Sequence, residues 1–353
     1  MNLRLEKFRK KIKNICDGAL ITNEKNIKYL CGVDYTDGFL FITEKSAYLV
    51  CDFRYIEVAN KNADKDFTVV MLTASRKIRL NEITEAEHAE TIAFEDSYMT
   101  VCEYEKLKEE LCGKNFVKLG KIISELRRSK DKREIEYMIK AQRTAEQAFL
   151  HILDFITTKR TERELANELD FEMRRLGADG SSFETIAVSG TAASMPHGVP
   201  RDIRLEKGFL TMDFGAIYKG YCSDMTRTVS IGKPTDKMKD IYNRVLEAQL
   251  RSVELYIKGG KCSDADAAAR NIINRSYKGS FGHALGHGVG MDIHETPTVS
   301  PKSSLVFEQG DVVTCEPGIY LEGETGVRIE DMLIITETET VNITKTPKEL
   351  III

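Results

Sequence analysis

Short apolar runs and helical segments alternate through the first third of the chain. The helical segments include Arg54–Ala63 and Tyr104–Leu111, and Leu5, Phe8 and Ile12 recur at the spacing of an amphipathic first helix. The apolar runs have the length of buried strands and read, in order, GALIT, FLFIT, AYLVC, FTVVML and TIAFED. This alternation predicts a small α/β unit.

A basic run separates this part from the rest of the chain. RRSKDKREIE begins at Arg127 and a helical pattern follows from Ile135, so Ser129 is predicted to cap that helix. We place the domain boundary here and expect one domain over residues 1–127 and a second over residues 128–353. No aromatic residues interleave with the basic ones. The run is therefore interpreted as the solvated start of a helix and not as a nucleic-acid-binding segment.

The second part of the chain contains longer helices and many turns. Thr161 and Glu164 form a predicted capping box, and further helices are expected over Lys237–Ile257 and Ala265–Ile273. All seven prolines lie at or after Pro196. Because rigid turns often position functional side chains, we expect the chemistry in this part.

Composition narrows the possible functions. The 353 residues are 30% charged and 42% apolar, as in ordinary globular proteins, and the net charge of -4 provides no field for nucleic acid or an anionic membrane. The basic N-terminus lacks the apolar core of a secretory signal, and no run approaches the ~18 apolar residues of a membrane span. Eight cysteines without a C-x-x-C pair indicate a reducing compartment, so we expect a cytoplasmic protein.

The segment Leu210–Ile231 has the pattern of a hairpin with its turn near Tyr218 and Lys219. With the turn centred there, Asp213 faces Asp224. Opposed residues in an antiparallel pair have β-carbons about 5 Å apart, so two bare carboxylates repel each other. We therefore expect a positive species between them.

A second hairpin, over Cys315–Ile335, repeats this arrangement. A turn at Gly323 places Glu316 opposite Glu330. One such pair is compatible with a solvent-facing strand that carries incidental acids. Two pairs inside apolar runs favour a functional cluster, because unpaired buried charge is strongly unfavourable.

Between the hairpins, the segment Ser280–Pro297 carries His283, His287 and His294. The spacing of the first two matches a zincin motif, but that motif requires Glu directly after the first His, where this chain has Ala284. The glycines in the segment also disfavour a helix. We expect an extended backbone that approaches a site closely and projects imidazoles into it.

Four carboxylates with one or more imidazoles form an oxygen-dominated donor set that can hold two divalent ions. The set suits Mn²⁺ better than a thiolate-type Zn²⁺ site, with Co²⁺, Zn²⁺ and Fe²⁺ as alternatives. Two ions about 3.5–4 Å apart lower the pKa of a water that bridges them. This chemistry predicts a hydrolase.

The motifs MDFG, SDMTRT, GHGVG, CEPGIY and GVRIED, in this order, resemble those of the pita-bread metallopeptidases. This is the family of aminopeptidase P, prolidase, methionine aminopeptidase and creatinase. GALITNEKNIKYLCGV and LVCDFRYIEVA are similar to the small N-terminal domain of the aminopeptidase P and prolidase branch. The resemblance implies the α/β (α+β) class, with a small α/β creatinase-type N-terminal domain before a pita-bread catalytic domain.

Position by position, the resemblance implies five metal ligands. Asp213 corresponds to a ligand of one ion only. Asp224 and Glu330 correspond to ligands that bridge both ions. His287 and Glu316 complete the shell of the second ion.

The resemblance also implies roles in catalysis. His283 and His294 match family histidines that stabilise the oxyanion or hold the substrate, and His197 matches one near the substrate proline. Arg328 matches the arginine that supports the ligands. Glu316 is implied to shuttle the proton as well as to bind metal.

The implied activity is that of an Xaa-Pro aminopeptidase, in which a metal-bridging hydroxide attacks the carbonyl before a proline at the second position of a peptide. An Xaa-Pro dipeptidase, or prolidase, is the alternative. It needs a cation for the proline carboxylate, and Arg201 and Arg204 are candidates. A non-catalytic binding module is a third hypothesis. The resemblance also implies a homodimer, and no nucleic-acid or membrane partner is expected.

Overall fold

The computed structural model describes residues 2–34 and 36–353. The chain divides into two compact units, Met1–Arg127 and Arg128–Ile353. Both units combine helices with sheets, as the predicted α/β (α+β) class requires. Within the described residues, no helix is both long enough and apolar enough to cross a membrane.

The first unit is built around a mixed sheet. Its elements are α1 (Leu3–Ile12), β1 (Gly18–Ile21), α2 (Glu24–Cys31), β2 (Phe39–Thr43), β3 (Ala47–Cys51), α3 (Ile56–Asn62), β4 (Thr68–Met71), α4 (Arg76–Ala86), β5 (Thr91–Phe94), α5 (Val101–Glu110), β6 (Asn115–Lys118) and α6 (Ile122–Arg128). The strand order is β4-β3-β2-β1-β5-β6. Each apolar run that predicted a strand forms one, and β1 and β2 are buried at every position.

The second unit contains the longer helices and the two predicted hairpins. Its elements are α7 (Lys132–Phe155), α8 (Glu162–Arg175), β7 (Gly180–Ser181), β8 (Ile186–Ser189), a 3-10 turn (Gly190–Ser194), β9 (Gly208–Phe214), β10 (Ala216–Tyr218), β11 (Tyr221–Cys222), β12 (Met225–Ile231), α9 (Asp236–Val253), α10 (Cys262–Ile273), β13 (Gly286–Gly288), β14 (Glu295–Val299), β15 (Val312–Cys315), β16 (Gly318–Leu321), β17 (Thr325–Arg328), β18 (Asp331–Ile335) and β19 (Thr340–Asn342).

The sheets of the second unit pack against helices in two hydrophobic cores. Their strand orders are β11-β10-β7, β12-β9-β8, β14-β13-β15-β18-β19 and β16-β17. Apolar residues of α7 and α8 form one core with β9 and β12, and those of α9 and α10 form another with β15, β16 and β18. The two hairpins are therefore held between packed faces.

The helix after the basic run begins two residues later than predicted. Asp131, not Ser129, is the N-cap, because Asp131 and Glu134 complete a capping box. The Ser129 hydroxyl instead donates a hydrogen bond to the carbonyl of Gln309. The run is solvated only in part: Ser129, Asp131, Lys132 and Arg133 are exposed, as predicted, whereas Arg128 and Lys130 are buried and pair with Asp311 and Glu295.

Helix α9 ends before its predicted limit at Ile257. Its last residue is Val253, and the chain then turns so that Tyr256 enters the core. The Tyr256 ring stacks on Phe307 at 4.5 Å, and its hydroxyl donates to the carbonyl of Thr314 at 2.9 Å. These tertiary contacts override the helical periodicity of the sequence. The capping box of Thr161 and Glu164 is confirmed.

Candidate metal centre

The first hairpin turns one residue later than the sequence pattern suggests. Lys219 and Gly220 form the turn with φ of 52° and 81°, and both positive values suit a two-residue type I′ turn. Asp213 consequently pairs with Thr226, and the predicted pairing of Asp213 with Asp224 was wrong. Because the residue opposite Asp213 changes by two positions, from Asp224 to Thr226, each side chain stays on the face that was predicted for it. Asp224 therefore still belongs to the same face of the sheet.

The second hairpin has the predicted register. Gly318 pairs with Arg328 in one ladder, and Cys315 pairs with Asp331 in the next. Glu316 and Glu330 occupy the interval between these ladders. Neither glutamate lies within a strand, so their backbones are held by other contacts. The Glu316 N–H donates to the carbonyl of Leu285 at 2.8 Å, and the Glu330 N–H donates to the carbonyl of Thr226 at 3.2 Å.

The histidine segment is extended, as predicted, and β13 lies at its centre. A β-carbon on Gly286 would lie 2.0 Å from the carbonyl oxygen of Thr314, so glycine is required for this close approach of backbones. The His287 Nδ1–H donates to the carbonyl of Gly288 at 3.0 Å. In the neutral form of the ring, that bond places the proton on Nδ1 and leaves the Nε2 lone pair free to bind a metal ion.

These three segments bring acids and an imidazole together. Nε2 of His287 lies 3.6 Å from Oδ2 of Asp224 and 3.4 Å from Oε1 of Glu316. Asp224, His287 and Glu330 each offer a ligand atom, and these atoms lie within 4.8 Å of one another. Asp213 completes the group of carboxylates, because its charge acts on both Asp224 and Glu330.

The negative charges of the carboxylates in this cluster repel one another. Burial and then the charges of Glu330, Asp213 and Glu316 raise the pKa of Asp224 well above its ordinary value. The pKa of Glu330 is raised well above its ordinary value by burial and then by Glu316 and Asp213. Burial would also raise the pKa of Glu316, but the hydrogen bond and charge of His287 outweigh it and lower the pKa to about 2. Bound cations would relieve this repulsion.

Two buried oxygens support the fit of a metal ion. Oδ1 of Asp213 and Oε1 of Glu330 have no hydrogen-bond partner among the described residues. Buried carboxylate oxygens are normally hydrogen-bonded or bound to a cation. Oxygen and imidazole donors of this kind suit Mn²⁺ and related divalent ions. The residues therefore fit a divalent metal centre.

Arg328 connects the carboxylates from one side. Its guanidinium donates to Oδ2 of Asp213 at 2.6 Å and to the Thr226 hydroxyl at 3.0 Å. That hydroxyl in turn donates to Oε2 of Glu330 at 2.7 Å. Arg328 also donates to the Tyr320 hydroxyl at 2.8 Å. The arginine thus orients two of the acids, one directly and one through Thr226.

The other histidines differ in how they are held. The His283 Nδ1–H donates to the carbonyl of Ala284 at 2.8 Å, and Nε2 accepts from the Tyr320 hydroxyl at 2.9 Å. Burial, the largest influence, lowers the pKa of His283, which agrees with this neutral form. His294 is exposed and its ring lies 4.3 Å from that of His287. His197 is exposed, and its charge acts on both His283 and His294.

Two hydroxyl groups of the centre were not identified from the sequence. Thr226 links Arg328 to Glu330, as described above. Thr314 donates to Oε1 of Glu316 at 3.1 Å and accepts from the His287 N–H at 3.0 Å. The available signal was positional, since each threonine lies two residues from a suspected acid and residues two apart in an extended chain share a face.

Comparison with known proteins gives consistent results over both units. The model of metallopeptidase family M24 matches residues 136–337, and that of the creatinase/prolidase N-terminal domain matches residues 4–129. The chain is 41% identical to the uncharacterized peptidase YqhT of Bacillus subtilis, with 99% of this chain and 100% of the relative covered. It is 36% identical to an Xaa-Pro dipeptidase of Pyrococcus horikoshii, with the same coverage.

Solved structures show the same likeness. An Xaa-Pro dipeptidase from Bacillus anthracis has a TM-score of 0.96 at 41% identity, and the match covers 99% of each chain. An X-Pro aminopeptidase from Thermotoga maritima has a TM-score of 0.91 at 33% identity, with 96% of this chain and 98% of that chain covered. The chain is thus similar along almost its whole length both to proteins named Xaa-Pro dipeptidase and to one named X-Pro aminopeptidase.

Proposed function

This chain belongs to metallopeptidase family M24, and from that membership we propose that it is a dinuclear-metal-dependent Xaa-Pro aminopeptidase. It removes the first residue of peptides that have proline at the second position. The observation that carries the proposal is the convergence of Asp224, His287 and Glu330 at metal-ligating distances. The likeness to an X-Pro aminopeptidase supports the substrate class.

We assign five side chains to the ions. Asp213 would hold one ion, His287 and Glu316 would hold the second, and Asp224 and Glu330 would serve as ligands of both. The oxygen-dominated donor set favours Mn²⁺, with Co²⁺, Zn²⁺ and Fe²⁺ as alternatives. Two divalent ions held by these residues would lower the pKa of a water so that it can act as a nucleophile at neutral pH.

The protein's own groups move the proton and hold the substrate. The Glu316 carboxylate accepts a proton from the nucleophilic water and delivers it to the nitrogen of the leaving proline. His294 is exposed beside His287 and donates to the developing oxyanion. Both ring nitrogens of His283 are already occupied, so this residue acts by orienting Tyr320. His197 contacts the proline side of the substrate.

The alternative is an Xaa-Pro dipeptidase, which is favoured by the names of two relatives. A dipeptidase must bind the proline carboxylate with a cation. Arg201 is unsuited to that role because its guanidinium binds the fully buried carboxylate of Glu162 at 2.7 and 2.8 Å. Arg204 is exposed and remains a candidate for it.

The cellular setting forms part of the proposal. We propose a cytoplasmic protein, because all eight cysteines are free thiols. We also propose a homodimer formed through the first unit, on the basis of family resemblance. Peptides with proline at the second position are its partners.

Hydrolysis of matched peptides tests this function. Metal-free protein reloaded with Mn²⁺ should cleave Ala-Pro-Ala faster than Ala-Pro and should not cleave Ala-Ala-Ala. Preference for Ala-Pro would favour the dipeptidase. Bound Mn²⁺ without cleavage of any of the three peptides would contradict both enzymes and support a binding module.

A further inference from the structure

Arg227 of β12 is fully buried and forms an ion pair with Asp331 of β18, next to the cluster of acids. We propose that Arg227 is a positioning residue of the metal centre, which fixes the backbone of Glu330 and Thr226 and joins the C-terminal segment Asn342–Lys348 to the site. The inference rests on the proposed metal centre and extends it to a residue that contacts no metal ligand side chain.

All five N–H groups of Arg227 have acceptors. Nε donates to the carbonyl of Pro347 at 3.0 Å. One terminal nitrogen donates to the carbonyls of Thr226 and Glu330. The other donates to Oδ1 of Asp331 at 2.9 Å and to the carbonyl of Thr346 at 2.8 Å. A guanidinium that is satisfied in every direction has little freedom to move.

We call the hydrogen bonds of Arg227 to the carbonyls of Thr226 and Glu330 and to Asp331 the Arg227 clamp. Glu330 depends on this clamp because it lies in the interval between two strand ladders. β17 ends at Arg328 and β18 begins at Asp331. The Glu330 N–H reaches the carbonyl of Thr226, and its own carbonyl receives the N–H of Arg227. Without Arg227, a buried carbonyl next to the proposed ligand would lack a partner. Such a group is unfavourable and would shift the backbone.

The Arg227 side chain and the carboxylates lie on opposite faces of β12. Thr226 and Arg227 are neighbours in β12, so their side chains project from opposite faces of the strand. The Thr226 hydroxyl binds the Glu330 carboxylate, whereas Arg227 binds the carboxylate of the next residue, Asp331. One face therefore carries the acids, and the opposite face carries the group that holds their backbone.

Asp331 extends the clamp to other elements. Its Oδ2 accepts hydrogen bonds from Gln249 of α9 at 2.9 Å, from Asn342 at 2.7 Å and from Lys348 at 2.7 Å. Arg227 and Lys348 place two cations against the single carboxylate of Asp331. Two cations against one anion leave a local excess of positive charge, which partly offsets the negative charge of the acid cluster.

Substitution of Arg227 tests the role through metal binding as well as activity. In Arg227→Met, the Kd for Mn²⁺ measured by titration calorimetry on metal-free protein should rise about 10-fold to 100-fold. For Ala-Pro-Ala, kcat should fall by a similar factor with KM unchanged, since the side chain does not touch substrate. Arg227→Lys retains the charge and some of the bonds, so it should recover part of both losses.

Arg128→Met is the matched control. Arg128 is also buried and binds the buried Asp311 and the carbonyl of Val306, but it makes no contact with the acid cluster. This variant should lose melting temperature without any change in the Kd for Mn²⁺. If Arg227→Met behaved in the same way, with wild-type Kd and kcat, the inference would be overturned.

Lys348→Met decides the question if Arg227→Met does not fold. It removes one donor to Asp331 and leaves Arg227 in place. We expect the Kd for Mn²⁺ to rise about 10-fold, and an unchanged Kd would overturn the inference. Wild-type protein that bound no Mn²⁺ would refute the proposed function itself, whereas normal binding by all variants would refute only the role of Arg227.

Discussion

Asp224 is a residue whose pKa is raised by the other carboxylates of the centre. It is buried, and three other carboxylates raise its pKa in addition to burial. Without a bound cation, the ionised form of Asp224 is therefore disfavoured in the folded state. Bound cations reverse this effect, so the same side chain is unfavourable without metal and favourable with it.

Asp224→Asn separates these two effects. The substitution removes one negative charge and one anionic ligand with little change of shape. We expect Xaa-Pro hydrolysis to be lost and the bound metal to decrease, while metal-free protein melts higher than metal-free wild type. Relief of about 1 kcal/mol corresponds to a rise of about 2–4 °C for a unit of this size. Calorimetry, metal analysis and the peptide assay measure the three quantities.

Two outcomes would contradict this prediction. If the variant had wild-type turnover and full metal content, Asp224 would not be a metal ligand. A metal-free variant that melted below metal-free wild type would show that the carboxylate is stabilising even without a cation.

The structure brings together acids that the sequence had singled out, whereas the hydroxyl groups beside them were not singled out. Asp224 and Glu330 are noticeable in sequence because acids are rare inside apolar runs. Thr226 and Thr314 are ordinary strand residues, and their bonds to Glu330 and Glu316 become apparent only when the strands are placed together. Arg227 was overlooked for the same reason, since its acceptors include carbonyls far away in the chain.

At the scale of elements, the two hairpins show what sets the accuracy of prediction. The second was correct because Gly323, with φ of 69°, marks its turn without ambiguity. In the first, Lys219 occupies a positive-φ position that usually favours Gly, Asn or Asp. The apolar pattern alone cannot separate two registers that place the same side chains on the same face.

Glu162 joins α8 to β8 and to the loop that carries Arg201, and gives the second unit a pH-sensitive contact. It lies at the start of α8 and accepts hydrogen bonds from Ser189 of β8 and from Arg201. Burial would raise the pKa of Glu162, but the bonds to Arg201 and Ser189 outweigh it and lower the pKa below the ordinary 4.5. Its stabilisation is thus present above pH 4.5 and is lost as the pH falls below that value.

Glu162→Gln should weaken this junction at neutral pH and reduce its sensitivity to acid. We expect a loss of about 1–3 kcal/mol in the free energy of unfolding at neutral pH. Between about pH 5 and pH 3, stability should fall less steeply than in wild type. Urea unfolding at a series of pH values measures both effects.

Glu206→Gln is the control for this junction. It removes an exposed carboxylate that lies 3.6 Å from the same guanidinium of Arg201. Its pH profile should match that of wild type. Equal slopes for Glu162→Gln and wild type would contradict the assigned role of Glu162.

At the scale of the whole molecule, the net charge of -4 is unevenly placed. Four of the acids are gathered in one cluster, so the charge bears on metal dependence more than on partners. A ligand that binds only the folded state stabilises it, by about 2.7 kcal/mol at a hundred times its Kd. Metal ions should therefore support the fold as well as the activity.

Chelation should accordingly lower the melting temperature of the wild type. Thorough metal removal is expected to abolish hydrolysis and shift the thermal transition downward, and addition of Mn²⁺ should restore both. Asp224→Asn serves as the internal control, because its transition should respond little to chelator. An unchanged wild-type transition after verified metal removal would contradict the coupling.

The exposed tip of the second hairpin, Glu322–Glu324, offers a site for engineering. Register is held at the far end of this hairpin by the pairing of Cys315 with Asp331, on the other side of Glu316 and Glu330 from the tip. Extra residues at the tip would lengthen the loop without moving the two glutamates. The tip can thus accept varied sequences, affinity tags or substrate-selecting loops, and we expect the positions of Glu316 and Glu330 to stay the same.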